Sequence, residues 1–432
     1  MSSDLEVLTN FEGAMIGAIR VGSEALFVSI PFDLPVKRDW LEHDYRLHFC
    51  FGIRNRSAGT KIVRVHVNEG DRTTLTKSMP PLYISKTPAG PYKNFICREG
   101  ASDNFKKYDF ELALSAHETV YVSNTIPRSL EGLEKIFSDL AKSGAVEEII
   151  YGSTLDDHDL IAYHYYSAGK NRPVVLITSG MHPPEPDTFA TEAIMTFLGS
   201  KESQTLRDVF DFIIVPIVNP DGYSRATQAG NAAGVNIYWD FRYRDRSSCP
   251  EAYFLHEHAM RHMPAIYVDF HSYTFQSQKT SGPYCKPVMR YRGLKTRRLV
   301  ERVNRAFAEQ MPSQKLMQGY VTYTPSTLVE ILTRHLNTIS YAKYHIHLQD
   351  GEAECKKVAV DALLIILESL VGAGMTSSRD LLVRPHGTVP KERAAEIFRY
   401  GMVLWNGYLH RRLYEYYVRW VKSKGSTEGG GP

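Results

Sequence analysis

Two short stretches of this sequence carry side chains spaced for metal chemistry. Met181-His182-Pro183-Pro184-Glu185 sets a His and a Glu three apart in a turn that opens a helix, and His271-Ser272-Tyr273 follows a buried apolar run. Two imidazoles and one carboxylate make a three-ligand set for zinc that leaves a fourth position for water, the pattern of a catalytic site and not of a closed structural one. Zinc in such a site lowers the pKa of its water to about 7 and supplies a hydroxide nucleophile at neutral pH. A lone HxxE arises often by chance. Two motifs, each at the end of a strand and in this order, are far more specific. The expected cofactor is one zinc per chain, held by His182, Glu185 and His271.

Such side chains need strands to carry them. PVVLITSG (173–180), FDFIIVPIVNP (210–220) and AIYVDFHSY (265–273) each have a continuous apolar centre and end in polar or turn residues. Strands buried on both faces read this way in a mostly parallel sheet flanked by helices. Helical patterns lie between them, at 188–200 and about 250–262, and the last is the apolar VAVDALLIILESLVG (358–372). SLEGLEKIFSDLAKSG (129–144) is an amphipathic helix closed by Gly144. The expected fold class is therefore α/β, with a mixed, mostly parallel sheet whose ligand site lies beyond the carboxyl ends of its strands.

Residues 1–128 read differently. ALFVSI (25–30), YRLHFCFGI (45–53), KIVRVHV (61–67) and KKYDFELAL (106–114) are short β-branched or aromatic runs separated by Gly, Pro, Asn and Asp clusters. They predict an antiparallel β-sandwich ahead of a catalytic domain over 129–375. Residues 376–432 are expected to form a helical extension and a disordered tail. Phe398, Met402, Trp405, Leu409, Leu413, Tyr416 and Trp420 recur every three or four residues, opposite a basic face. That stripe is expected to pack on the body or on a second subunit, so a homo-oligomer through it is one expected partner.

The chain has 432 residues, 43% hydrophobic and 23% charged, with 51 basic and 48 acidic side chains and a net charge of +3. No concentrated basic surface calls for nucleic acid. No segment has the roughly 18 uninterrupted apolar residues that span a bilayer, so no membrane partner is expected. The N-terminus does not read as a secretory signal. The five cysteines are scattered without CxxC spacing and read as reduced thiols. A soluble, cytoplasmic protein is expected.

GMHPPE, IVNPDGY (217–223) and VDFHSY (268–273) resemble the zinc motifs and the intervening NPDG turn of the funnelin metallocarboxypeptidases, over roughly 150–372. YRLHFCFGIRN, MPPLYIS and VYVSNTIPRSL are similar to the β-sandwich that precedes the catalytic domain in the cytosolic carboxypeptidase branch, which includes the tubulin deglutamylases. The resemblance implies that His182, Glu185 and His271 are the zinc ligands. It also implies a general-base Glu on a late strand. Ser326-Thr327-Leu328-Val329-Glu330-Ile331 fits that place, and Glu330 is chosen over Gln349, whose amide cannot act as a base.

Two departures from the family pattern stand out. An ungapped alignment puts Ala229 where the family carries an oxyanion arginine, and GVNIYWDF puts Tyr238 and Trp239 where it carries the Asn-Arg pair that grips a terminal carboxylate. Loss of one oxyanion donor costs roughly 100–1,000-fold in rate. Arg225, Arg242, Arg244 and Arg246 lie nearby in sequence. Arg225 or Arg242 is the expected replacement oxyanion donor. Arg244 is an expected substrate contact, with Tyr238 and Trp239 as an aromatic wall. Tyr320 or Tyr323 is a candidate mobile tyrosine over the substrate, with Tyr323 preferred. His258 and His262 sit one helical turn apart in LHEHAMRH, which is not HExxH and reads only weakly as a metal site.

The expected function is zinc-dependent hydrolysis of an amide bond in a peptide or a small amino-acid-derived substrate. N-acyl amino acid deacylation on the same scaffold, or a non-catalytic binding relative suggested by Ala229, are the alternatives. A scaffold acting through the basic helix ranks last, since it explains none of the zinc residues.

Overall fold

The computed structural model of the chain describes residues 4–22, 25–29, 48–68, 82–95, 107–142, 146–166, 172–271, 282–285, 288–312, 317–318, 326–345 and 351–375. The first nine strands are β1 (Leu5–Leu8), β2 (Ile19–Val21), β3 (Ala25–Ser29), β4 (Cys50–Asn55), β5 (Lys61–Asn68), β6 (Leu82–Ser85), β7 (Lys93–Phe95), β8 (Lys107–Leu114) and β9 (Thr119–Ser123). They make two sheets, ordered β1-β4-β9-β6-β7 and β2-β3-β5-β8. Val63, Val65 and Val67 on β5 and Phe110, Leu112 and Leu114 on β8 share one buried cluster with Phe51, Ile53, Val120 and Val122 of the other sheet. This two-residue period turns one face of each sheet inward and builds the sandwich. One detail departs from expectation: β3 and β5 pair in parallel, so the sandwich is not wholly antiparallel.

After α1 (Leu130–Lys142) come β10 (Glu147–Ser153), β11 (Asp159–Tyr165), β12 (Val174–Thr178), α2 (Thr188–Gly199), α3 (Gln204–Val209), β13 (Asp211–Val215), α4 (Pro220–Arg225), α5 (Pro250–His262) and β14 (Ile266–His271). The chain continues through β15 (Gly282–Cys285), α6 (Leu294–Gln310), β16 (Met317–Gln318), α7 (Leu328–Leu336), β17 (Ile339–His345) and α8 (Glu352–Val371). These strands form one eight-stranded sheet, ordered β10-β11-β13-β12-β14-β17-β15-β16. Its centre, β13-β12-β14-β17, is parallel; β11 on one side and β15 with β16 on the other run antiparallel to it, and the edge strand β10 is antiparallel to β11. The protein is thus α/β with a mixed sheet, as the buried runs imply. β10 lacks that signal in sequence, because about half of it faces solvent.

Both faces of the sheet are covered. Val175, Ile177, Phe212, Ile214, Val268 and Phe270 lie in one apolar layer with α1, α2, α6 and α8. Leu176, Ile213, Val215 and Tyr267 lie in the other with α5 and α7. The central strands therefore carry apolar residues on both faces, which removes the period-2 alternation seen in the front sheets. No helix among the described residues is long and apolar enough to cross a membrane.

The strand expected around Glu330 is helix α7. Thr327 caps it, its side-chain oxygen accepting from the backbone N–H of Glu330, as an N-cap threonine does. Leu328, Val329, Ile331, Leu332 and Leu336 form its buried face. In a six-residue window this helical spacing looks like an apolar strand. Tyr320, Tyr323, Gln349 and the extension over 376–432 lie outside the described residues.

Candidate metal centre

β12 and β14 are adjacent and parallel, with Thr178 opposite Asp269. β13, next in the chain after β12, lies on the other side of β12. Successive connections therefore leave β12 in opposite directions, and a crevice opens beyond its carboxyl end. The HPPE turn and His271 both fall there.

The turn is shaped before it reaches His182. Gly180 has φ +68, and a Cβ on it would lie 2.7 Å from the Pro216 carbonyl oxygen and 3.0 Å from the Ile217 Cα. Its N–H donates to Asp187 Oδ2 at 3.0 Å. The NPDG segment supports it from below. Asn219 accepts from the Gly222 N–H at 2.9 Å and donates to the carbonyls of Met181 (3.1 Å) and Gly230 (3.2 Å). Asp221 takes the Thr154 hydroxyl at 2.5 Å and faces His158 Nδ1 at 2.8 Å. NPDG is thus the brace that fixes the backbone before His182 and the loop after Arg225. The front sandwich holds that same loop: the Gln228 side chain bonds both the N–H and the carbonyl of His48.

The result is a compact donor set. His182 Nδ1 lies 2.9 Å from Glu185 Oε1, and His271 Nδ1 lies 3.1 Å from Glu185 Oε2. All three side chains are buried, and their ligand atoms lie within 4.8 Å of one another. The outward nitrogens are already committed. His182 Nε2 is 3.1 Å from Asn236 Oδ1, and His271 Nε2 is 2.9 Å from Asp269 Oδ2. The Tyr238 N–H donates to the same Asn236 oxygen at 3.1 Å, which orients the amide so that His182 Nε2 must be the donor. Asp269 is held in turn by the Thr178 hydroxyl, 2.8 Å from its Oδ1. With Nε2 committed outward on both imidazoles, Nδ1 is the inward nitrogen, the one a metal would take in place of the protons shared with Glu185. Two imidazoles and a carboxylate are the donors zinc prefers, so the residues present fit that ion.

Charge agrees with geometry. Burial alone would raise the Glu185 carboxyl, but His182 and His271 outweigh it and hold it below the usual carboxylate range. Burial would likewise lower His271; the facing carboxylates of Asp269 and Glu185 instead push it up to about 10. Asp187 goes the other way: burial, and then repulsion from Glu185, raises it well above an ordinary aspartate. The pocket thus concentrates negative charge on Glu185 and Asp269, which a divalent cation would balance.

The other expected site residues are distributed unevenly. Tyr238 packs edge-on against His271, ring centroids 5.1 Å apart, and against Trp239 at 4.7 Å; both sit in a short 3-10 turn whose cap is Asn236. Three of the four arginines are engaged elsewhere. Arg225 grips Asp156 with two 2.6 Å bonds. Arg244 pairs with Glu257 at 3.7 Å, Arg246 lies over the Phe254 ring, and Arg242 is exposed. The structure therefore brings none of these four into recorded contact with the donor set. Sequence reasoning missed Asn236 and Asp269. Asp269 was findable, since a residue two before a strand histidine shares its face; Asn236 had no local signal.

Asp269 yields a direct test. Asp269→Asn keeps the shape but removes the charge that opposes Asp269 to His271, and zinc affinity is expected to fall about 10–100-fold. Competition against a chromophoric chelator measures it; unchanged affinity would remove Asp269 from the site's support.

Residues 134–350 match the family described as zinc carboxypeptidase. Cytosolic carboxypeptidase 1 of Xenopus laevis is 26% identical over 120 residues, covering 26% of this chain and 10% of that protein. Cytosolic carboxypeptidase 3 of Mus musculus is 21% identical over 274 residues, 56% of this chain and 27% of that protein. The chain thus matches only a minor part of the length of these relatives. Among solved structures, a metallo-carboxypeptidase from Burkholderia cenocepacia superposes with a TM-score of 0.72 at 13% identity, covering 85% of this chain and 99% of that one. One from Pseudomonas aeruginosa gives 0.70 at 14% identity, with the same coverage. At such identities the likeness is one of fold.

Proposed function

This chain belongs to the zinc carboxypeptidase family, and from that premise we propose that it hydrolyses an amide bond in a peptide or amino-acid conjugate at one zinc held by His182, Glu185 and His271. The observation that carries this reading is the meeting of two inward Nδ1 atoms and one carboxylate at the carboxyl edge of the sheet. When bound there, zinc supplies Lewis acidity, polarising a carbonyl and acidifying a water. The protein's own residues orient and enclose. Asn236 and Asp269 hold both imidazoles by Nε2. Tyr238 and Trp239 are buried and back His271 from within the apolar layer, so they are not the exposed aromatic wall expected from the sequence. Glu330 is the proton acceptor this reading assigns. Its support is that Val329 and Ile331 beside it share the apolar layer that holds Tyr238 and Trp239. The names of the relatives and an unremarkable charge balance support a cytosolic setting.

A second reading, binding without turnover, is favoured by one observation: Arg225, Arg244 and Arg246 are engaged at the surface, away from the donor set. Zinc-loaded chain incubated with peptide and N-acyl amino acid libraries separates the two. Release of free amino acids, detected by mass spectrometry, is expected, and which library yields them separates peptidase from deacylase. Glu330→Gln is then expected to lower turnover about a hundredfold with zinc retained. A change under about threefold would leave Glu330 as a first-turn residue of α7 alone, and an inert zinc-loaded wild type would establish the binding relative.

A further inference from the structure

A second group of ligand-type side chains lies on the same face of the sheet, away from the HPPE turn. His164 on β11 is fully buried, His258 on α5 nearly so, and His262 one turn further along α5 is half-buried. Their ligand nitrogens all lie within 4.8 Å of one another. His164 Nε2 is 3.1 Å from His258 Nε2, and the three ring centroids are 4.6–5.1 Å apart. We propose that His164, His258 and His262 form a second metal site, for one divalent ion of the zinc–copper end of the first transition series, which clamps α5 to the edge of the main sheet.

The ligand chemistry selects that class. Three imidazoles with no carboxylate among them suit zinc, nickel or copper and offer nothing to calcium or magnesium, which take oxygen ligands. The Tyr166 hydroxyl contacts His164 Nδ1, which aims Nε2 at the other two rings, as an outer partner does for a metal-bound histidine. Among the described residues, a hydrogen bond is recorded for the His164 and His258 rings, while His262 adds a third nitrogen from the solvent side, where an ion can enter.

The scaffold is rigid where it needs to be. α5 lies so close to β10 that a Cβ on Gly152 would fall 2.4 Å from the Phe254 ring, and the Tyr151 ring packs on His258 at 5.0 Å. His164 stands opposite Ile213, which stands opposite Leu176 and then Tyr267. The cluster is therefore three strand spacings, about 14 Å, across the sheet from the strand of His271 and about 13 Å further down it. It is a separate site, and its existence does not depend on the proposed hydrolysis.

Counting zinc tests it. The full-length chain is equilibrated with zinc, desalted, and its metal measured by atomic absorption. Two equivalents are expected in the wild type and one in His182→Gln. His258→Gln and His262→Gln are each expected to hold one, bound at the other site. His262, half-exposed in the last turn of α5, tolerates substitution even if His258→Gln does not fold. In His182→Gln, zinc is still expected to raise Tm by several degrees, and in His182→Gln/His262→Gln it is not. A single equivalent in the wild type that His182→Gln abolishes, or two equivalents persisting in His262→Gln, overturns the proposal.

Discussion

Glu185→Gln is expected to release the zinc and to lower hydrolysis by more than about a thousandfold, with the fold retained. The two Glu185 oxygens are divided between the histidines, one at 2.9 Å from His182 and one at 3.1 Å from His271. Glutamine has the same shape but offers one neutral oxygen and one NH2 group. The NH2 would donate into an Nδ1 lone pair and occupy the place of the ion. The same change removes the negative charge that a dication would balance, leaving Asp269 as its remaining acidic neighbour. A metal contributes several kcal/mol of transition-state stabilisation, and about 4 kcal/mol corresponds to the stated thousandfold. Atomic absorption together with turnover of the substrate found in the library screen measures the effect. A Glu185→Gln protein that keeps stoichiometric zinc at the His182–His271 position and near wild-type rate would falsify the ligand assignment.

Gly180→Ala is expected to destabilise the protein by about 3 kcal/mol, roughly two orders of magnitude in the folded-to-unfolded ratio. The left-handed backbone at φ +68 costs an L side chain about 1–2 kcal/mol. The added methyl would also meet the Pro216 carbonyl oxygen at 2.7 Å and the Ile217 Cα at 3.0 Å, both backbone atoms that cannot swing aside, and overpacking of that kind costs about 1–3 kcal/mol. Relief can come only by moving the strand end that carries Met181 and His182. Metal affinity should therefore fall together with the denaturation midpoint, although Gly180 bears no ligand atom. Urea unfolding with and without zinc checks both. A variant within about 0.5 kcal/mol of wild type would mean that the turn relaxes freely.

Glu330 shows how a short window misleads. Ser326-Thr327-Leu328-Val329-Glu330-Ile331 is apolar and β-branched enough to read as strand, yet it opens α7. The signal that distinguishes the two was present. A Thr three residues before a Glu, ahead of an apolar run, has the spacing of a capping box, and Leu332 and Leu336 continue the helical spacing. The strands that were legible, such as Val174–Thr178 and Ile266–His271, have longer uninterrupted apolar runs bounded by turn residues, so burial and local preference agree there. β10 was not legible, because an edge strand half in solvent has no such run.

By itself, the chain's order of residues determined the α/β architecture and picked out the candidate zinc ligands, while the family came from the resemblance of three motifs. The architecture follows from local rules: apolar runs become central strands, Gly and Pro end them, and ligand residues placed just after two such runs must lie at the same edge once the strands pair in parallel. Only the tertiary structure decided which groups orient those ligands, where the arginines go, and that a third histidine completes the pair on α5. Asn236 reaches a histidine 54 positions away, Arg225 is captured by an aspartate 69 away, and His164 meets His258 across 94. Partnerships at such separations depend on which strands become neighbours and which helix lies over them, and no period or motif within a single segment encodes that choice.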